Sequence, residues 1–296
     1  MSSSAPIADA TAPASDTEAP PPQDGWPGGL PALRAELDRI DNAMHDLLIE
    51  RALVVEHVAR SGKPAAFRPG REASIVRRLV ARHSGSLPRQ ALFRIWRELL
   101  AGTTSMQGGF QVAVCEIGSD AGMTQVAREH FGALTPLRAY RDPFQAMNEV
   151  AKRTASVAIL PMPTETDAWW TALPRRDPPL FIIARLPFWT ERAEGAPAQQ
   201  ALVVAAAAPD ESGQDRTYLA VPCEADISLV RLPQDLVAAG LKAGTILFGR
   251  HPDGRSSYAL VEVEGFVSAQ DPRLSALPGR TVVLGGYAIP FAGGAK

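Results

Sequence analysis

Cysteine is scarce in this sequence, and the placement of the two cysteines excludes the sites that cysteine clusters usually build. Cys115 and Cys223 are the only two in 296 residues, and neither belongs to a Cys-x-x-Cys pair or to a Cys/His ligand spacing. A disulfide framework of the secreted kind and a structural zinc site are therefore not expected. We predict two buried thiols in a reducing compartment and no metal site.

The chain also lacks an excess of charge of either sign and a long apolar run. It has 30 basic and 32 acidic residues, so composition gives no reason to expect nucleic acid or an anionic membrane as a partner. No stretch of about 18 apolar residues occurs, and the N-terminus lacks the basic start and apolar core of a signal peptide. These absences predict a cytoplasmic protein.

Composition and periodicity along the chain predict several domains. Residues 1–29 are rich in Ala, Pro and Ser and are predicted to form a disordered tail. The pattern then changes from helical spacing to short apolar runs. We predict a multidomain fold made of an all-α domain at 30–108, a small α/β domain at 109–190, a linker at 191–199 and an α+β sandwich at 200–292.

The all-α domain is predicted to contain three helices, at Pro31 to Ser61, Arg71 to His83 and Pro88 to Gln107. A helix of about 30 residues spans roughly 45 Å. This is more than the width of a small domain, so one chain cannot cover the apolar stripe of the first helix. We expect a helical partner, most simply a second copy of the chain.

Polar residues interrupt the apolar stripes of these helices. Arg51 lies on the stripe of the first helix, where an unpaired guanidinium is costly. Either Glu36, Glu72 or helix-end carbonyls could satisfy it, or a ligand could. Thr103 and Gln107 continue the stripe of the third helix, and a frayed helix end is the alternative there.

Cations outnumber acids among the residues gathered around these positions. The segment "FRPGRE" places three charges in the first turn of the second helix, and Glu72 is the only acid at a comparable position. An excess of cations that the chain does not neutralise favours a small polyanionic ligand. The cations concerned are Arg34, Arg51, Lys63, Arg68 and Arg71.

Three motifs in this region resemble the all-helical chorismate mutase family. They are "LRAELDRIDNAMHDLLIERALVVEHV", "RPGREASIVRRL" and "IWRELLAGTTSMQ". The resemblance implies an intertwined homodimer that converts chorismate to prephenate. This Claisen rearrangement is unimolecular, so neither cofactor nor metal is implied.

The resemblance also implies roles for individual residues. Arg51 is the implied clamp for a carboxylate within its own site, and Gln107 is implied to face the ether oxygen. Lys63 or Arg60 is implied to replace the family's pocket lysine, which falls on Gly62. The implied substrate-binding residues are Arg34, which reaches across the dimer, Arg71, Glu72, which contacts the substrate hydroxyl, and Thr103.

The rest of the chain resembles the other parts of fused chorismate mutase/prephenate dehydratase proteins. Residues 109–190 are similar to a truncated dehydratase domain and 200–292 to an ACT domain, both with eroded motifs. The resemblance implies a chorismate mutase of aromatic amino acid biosynthesis. The alternatives are a fusion that binds a pathway metabolite without turnover and a bifunctional enzyme that also dehydrates prephenate.

Overall fold

The structure, a computed structural model, describes residues 28–61, 67–106, 108–118, 120–223, 228–250 and 257–292. The residues up to Val54 and those from Val55 onward form two compact units, which are described separately. Residues 1–27 of the predicted tail lie outside the described residues.

The first unit consists of most of one long helix, α1 (Gly29–Arg60). Its 32 residues extend over about 48 Å at 1.5 Å per residue. None of its side chains is buried, and the apolar residues Leu37, Leu47 and Val54 are each 59–62% exposed. The long first helix is thus present, and its apolar stripe is exposed.

Two further helices complete the helical N-terminal region. They are α2 (Pro69–Arg82) and α3 (Arg89–Ser105), whose ends lie within two residues of the predicted ones. Pro69 occupies the first turn of α2, where a missing N–H costs nothing. Periodicity therefore predicted all three helices.

The described residues that follow α3 in the chain contain one mixed sheet of nine strands. The strands are β1 (Val112–Cys115), β2 (Leu137–Tyr140), β3 (Val157–Pro161), β4 (Phe181–Leu186), β5 (Ala201–Ala205), β6 (Asp215–Cys223), β7 (Ala243–Arg250), β8 (Ser257–Glu264) and β9 (Val282–Ala288). Their order is β2-β1-β3-β5-β4-β9-β6-β8-β7. Among the described residues, three α-helices accompany them, α4 (Gly122–Phe131), α5 (Pro143–Ala151) and α6 (Ser228–Ala238), and two short 3-10 helices, Trp169–Arg175 and Pro272–Ala276.

The sheet combines a parallel part with an antiparallel part. β1 pairs in parallel with β2 and β3, and the connections contain α4 and α5. β5 pairs antiparallel with β3 and β4, although it comes after the predicted linker. The last four strands form an antiparallel group, β9-β6-β8-β7. The predicted domain borders stay predictions, but the strands on either side of them share one sheet.

Gly285 permits the junction between the two parts of the sheet. β4 meets β9 at a single pair, Ile182 with Gly285. The φ of Gly285 is +123°, and a Cβ there would lie 2.1 Å from the carbonyl oxygen of Ile182. A side chain would therefore separate the strands, and only glycine fits.

The second and third helices are fastened to the sheet part of their unit. Phe93 of α3 packs against Phe188 and Trp189, which follow β4. The guanidinium of Arg77 on α2 donates to the backbone carbonyls of Gln214 and Ile289, at 3.1 and 2.7 Å. The helices α2 and α3 therefore share a buried core with the strands.

Candidate functional site

The predicted arginines of α1 lie on its surface within the single chain. Arg34 is exposed, and Arg51 is half-buried one turn from Leu47 and Val54 on the exposed apolar stripe. A second helix packed on this stripe would enclose the Arg51 guanidinium. The structure thus places Arg51 on the helix face that the sequence predicted.

The start of α2 is held by a carboxylate from a distant loop. Asp210, which follows β5, accepts the backbone N–H groups of Gly70 and Arg71 at 3.0 and 3.1 Å. Its carboxylate also lies 3.3 Å from the guanidinium of Arg68. A Cβ on Gly70 would come within 2.3 Å of the Asp210 carbonyl oxygen. Glycine and a helix-capping acid therefore set the position of the turn that carries Arg71, whose side chain is exposed.

Glu72 does not face solvent from this turn but points into the protein. It is 7% exposed, and its carboxylate lies 3.0 Å from the guanidinium of Arg97, which is 3% exposed. Arg97 also donates to the backbone carbonyl of His130 from Nε and Nη2, at 3.1 and 2.7 Å. Burial raises the pKa of Glu72, and the Arg97 charge opposes that shift. The three residues form a buried polar cluster between α2, α3 and the end of α4.

Thr103 is the remaining predicted site residue in the described part of this unit. It is buried, and its hydroxyl donates to the backbone carbonyls of Leu99 and Leu100, both at 3.0 Å. Lys63, Gly62 and Gln107 lie outside the described residues. Of the predicted residues, Arg71 and Glu72 are neighbours on α2, but Arg71 is exposed and Glu72 is buried.

The glycine-containing loop before α4 has a structural use. The carboxylate of Glu116 accepts the N–H groups of Met123 and Thr124 at 3.3 and 2.8 Å. These N–H groups belong to the first turn of α4, where an anion would otherwise bind. The helix start is thus capped by the chain's own carboxylate.

Arg97 and His130 of the buried cluster were not predicted as site residues. The apolar stripe predicted for α3 runs through Leu92, Trp96 and Leu99 to Thr103. The buried residues of α3 are Phe93, Arg97, Leu100, Thr103 and Thr104. Positions 93, 97, 100 and 104 show the same three- and four-residue spacing, so this second stripe carried a usable signal. His130 and Asp210 carried none, because their partners are more than 30 residues away along the chain.

His130 makes folding stability depend on pH. Burial, together with the Arg97 charge, lowers the pKa of His130 well below its ordinary value of 6.5. Below pH 6.5 the unfolded chain binds a proton that the folded chain does not. The contribution of His130 to the free energy of unfolding should therefore fall by about 1.4 kcal/mol per pH unit as the pH drops well below this value.

Urea unfolding of the wild type and of His130→Phe between pH 7.5 and 5 measures this contribution. The variant keeps an aromatic ring of similar size beside Phe67 and Phe131, which the His130 ring contacts. Both proteins keep Glu72, whose raised pKa acts in the opposite direction, so their difference isolates His130. Parallel pH profiles for the two proteins would contradict the assignment.

Comparison with known proteins identifies relatives of part of this chain. Residues 33–108 match the family model of chorismate mutase type II, which confirms the predicted resemblance of the three helices. The bifunctional chorismate mutase/prephenate dehydratase of Pseudomonas aeruginosa is 28% identical over 150 residues, which are 47% of this chain and 40% of that protein. The protein of the same name from Aquifex aeolicus is 31% identical over 144 residues, or 45% and 38% of the two chains.

The chain therefore spans well under half of the length of these relatives. Among solved structures, prephenate dehydratase from Streptococcus mutans is 12% identical with a TM-score of 0.45 and covers 60% of this chain and 97% of that one. No helix in the described ranges is long and apolar enough to cross a membrane.

Proposed function

We propose that this protein is a chorismate mutase whose site is built by α1, α2 and α3 in a homodimer. The observation that carries the proposal is the match of residues 33–108 to the type II family model. It is supported by the helices at these positions and by Arg34, Arg51 and Arg71, which lie on α1 and α2 and to which the resemblance assigns the substrate carboxylates. The reaction converts chorismate to prephenate in the biosynthesis of phenylalanine and tyrosine.

The arginines supply what this reaction needs from a protein. Chorismate is a dicarboxylate, and it rearranges only from a compact conformer that brings the two reacting carbons together. Arg51, with Arg34 from the partner subunit, would hold the two carboxylates and so remove the rotational freedom of the substrate before reaction. Arg71 and Thr103 complete the proposed binding set.

The rate depends on charge that develops in the transition state. The ether C–O bond breaks while the new C–C bond forms, and negative charge grows on the ether oxygen. In our proposal Gln107 and the ammonium of Lys63 donate to that oxygen, which stabilises the transition state more than the ground state. No proton is transferred to the substrate, so no general acid or base is required.

The exposed stripe of α1 supports the proposed dimer. A helix of about 48 Å with no buried side chain is not a stable arrangement in water, because its apolar face stays hydrated. A second copy of α1 presents the same stripe and can bury it by twofold symmetry. A cytoplasmic setting, predicted from the composition, belongs to the same proposal.

We further propose that the sheet part has no dehydratase activity and includes an ACT-like region at 200–292. Neither dehydratase motif is kept. The Pro-Glu-Asn-Ser motif is replaced by "PMPTE" at residues 161–165, and the Thr-Arg-Phe motif is replaced by "QQALVV" at 199–204. The antiparallel group β9-β6-β8-β7 with α6 on one face supports the ACT-like assignment.

One observation favours a second candidate function, the binding of a pathway metabolite without turnover. Glu72 is the residue implied to contact the substrate hydroxyl, yet its carboxylate lies 3.0 Å from the Arg97 guanidinium inside the protein. If Glu72 keeps this partner in the dimer, the site has cations for carboxylates but lacks one polar contact to the substrate.

An assay with purified protein and chorismate separates these functions. Our proposal predicts loss of chorismate absorbance and the appearance of phenylpyruvate only after acid treatment, because acid converts prephenate to phenylpyruvate. Binding of chorismate in a calorimeter without any loss of absorbance would favour the second candidate. Phenylpyruvate formed before acid treatment would show dehydratase activity and overturn our assignment of the sheet part.

A further inference from the structure

A second cationic site lies in the sheet, remote in sequence from the proposed mutase residues. It is a cavity of about 410 Å³ where the end of β4, the start of β6 and the end of β9 meet. Three arginines line it, Arg185, Arg192 and Arg216. A volume of this size is within the range of small-molecule sites.

Two of the lining arginines, Arg185 and Arg216, belong to a polar network across four strands. Glu262 of β8 is 3% exposed, and it accepts the hydroxyl of Tyr287 at 2.5 Å and the guanidinium of Arg216 at 2.9 Å. Arg185 donates to the Tyr287 oxygen at 3.0 Å and to Gln200 at 2.9 Å. These bonds fix both guanidiniums and hold them at the cavity wall.

The network contains more positive charge than its acids neutralise. Arg185 and Arg216 share one carboxylate, that of Glu262. The next acid, Glu264, lies 4.0 Å from Arg216 but 2.9 Å from the ammonium of Lys242, which neutralises it. Arg192 has its own partner in Glu129, at 2.7 and 2.9 Å. One guanidinium charge therefore faces the cavity without a matching acid.

The two central arginines also keep unused donors. A guanidinium has five N–H groups, and the hydrogen bonds of Arg185 come only from Nη1 and Nη2, while that of Arg216 comes only from Nη1. Within the described ranges, the remaining N–H groups have no acceptor at hydrogen-bond distance. Partly exposed donors of this kind are suited to a second carboxylate, which accepts in the plane of the guanidinium.

Apolar residues make up most of the remaining lining. We call them the apolar wall: Leu186, Pro187, Ala198, Ile289 and Pro290. An inorganic phosphate would leave this wall uncovered and would bring about two negative charges to one unmatched positive charge. A monocarboxylate with a compact apolar body matches the arginines, the apolar wall and the net charge.

We propose that this cavity binds a small organic monocarboxylate, with Arg185 and Arg216 holding the carboxylate group. The apolar wall covers the body of the ligand. The site is independent of the proposed mutase residues, so the assignment stands whether or not the helical region turns over chorismate.

Titration calorimetry of the full chain with phenylacetate, phenylacetamide and inorganic phosphate tests the proposal. We expect phenylacetate to bind with a Kd on the order of 1 mM at low salt. The neutral amide and phosphate should bind at least about tenfold more weakly. No binding of phenylacetate, or equal binding of the amide or of phosphate, would overturn the proposal.

Three substitutions place the binding in this cavity. Arg185→Met and Arg216→Met should each weaken phenylacetate binding about tenfold or more. Glu262→Gln removes the competing acid at nearly constant shape, so it should tighten binding several-fold. The control is Arg141→Met, an exposed residue after β2 at the far end of the sheet, which should leave the Kd unchanged.

A double variant controls for loss of folding. If Arg185→Met leaves Glu262 underpaired and the protein unfolds, the double variant Arg185→Met/Glu262→Gln restores the charge balance. It should fold and bind phenylacetate about tenfold more weakly than Glu262→Gln alone. Equal affinity in these two proteins, or in the wild type and both single arginine variants, would show that phenylacetate binds elsewhere.

Discussion

Replacement of Arg51 by alanine is expected to lower kcat/KM for chorismate by about 100-fold or more, with the dimer and the helix content unchanged. Arg51 would clamp a substrate carboxylate, and its loss removes both binding and the orientation that the rearrangement requires. Alanine favours the helix, and Arg51 lies within α1 away from both ends, so α1 should persist. Steady-state kinetics, circular dichroism and light scattering measure the three quantities.

Arg39→Ala is the matched control for this experiment. Arg39 is on the same helix, and its side chain is 66% exposed and paired with Glu36 at 2.6 Å. An exposed pair of this kind contributes little to stability, so kcat/KM should stay within about a factor of two. Equal activity of the Arg51→Ala and Arg39→Ala proteins would show that Arg51 is not part of the site.

Replacement of Arg97 by methionine is expected to lower the free energy of unfolding by about 3–5 kcal/mol. The substitution leaves the Glu72 carboxylate buried without its cation, and it also removes both donors to the His130 carbonyl. Equilibrium unfolding in urea, followed by tryptophan fluorescence, measures the loss.

The double variant Glu72→Gln/Arg97→Met separates the charge from the shape of this cluster. A neutral amide at position 72 needs no cation, so the double variant should recover part of the stability that Arg97→Met loses. The unpaired His130 carbonyl limits the recovery. A loss below about 1 kcal/mol for Arg97→Met would mean that the pair is solvated and does not hold α2 and α3 together.

The helices were predictable because their information is local. Apolar residues at three- and four-residue spacing fixed α1, α2 and α3, and the prolines and glycines between them marked the breaks. Most strands were predictable from short apolar runs for the same reason. β2 was not predictable in this way, because its residues are half-buried at both ends and exposed between and so form no apolar run.

The arrangement of the strands was not predictable from local patterns. The residues "ALVVA" of β5 do not predict that this strand lies between β3 and β4, because its position depends on long-range pairing. The glycine pair at 285 and 286 gave a hint of close backbone approach, but its partner in β4 is about 100 residues away.

The residues of the candidate site were likewise predictable only where the signal was local in sequence. Arg51 was predictable as a site residue because its charged side chain lies in an otherwise apolar stripe, and this is visible in the local sequence. The burial of Glu72 could not be foreseen, because its partner Arg97 lies on another helix, on a face outside the predicted apolar stripe. Asp210 caps α2 from a loop 139 residues away from Arg71, and only the folded chain brings the two together.

A mixed-dimer experiment tests the central claim most directly, because it requires both the reaction and the shared site. In our account Arg34→Ala and Arg51→Ala are each inactive toward chorismate as homodimers. A dimer with one chain of each kind has one site with Arg51 from one subunit and Arg34 from its partner, and a second site that lacks both. Refolding equal amounts together should therefore restore about one quarter of the wild-type activity, because half of the dimers are mixed and each has one intact site. Activity that remains at the level of the separate variants would contradict a mutase site shared between two copies of α1.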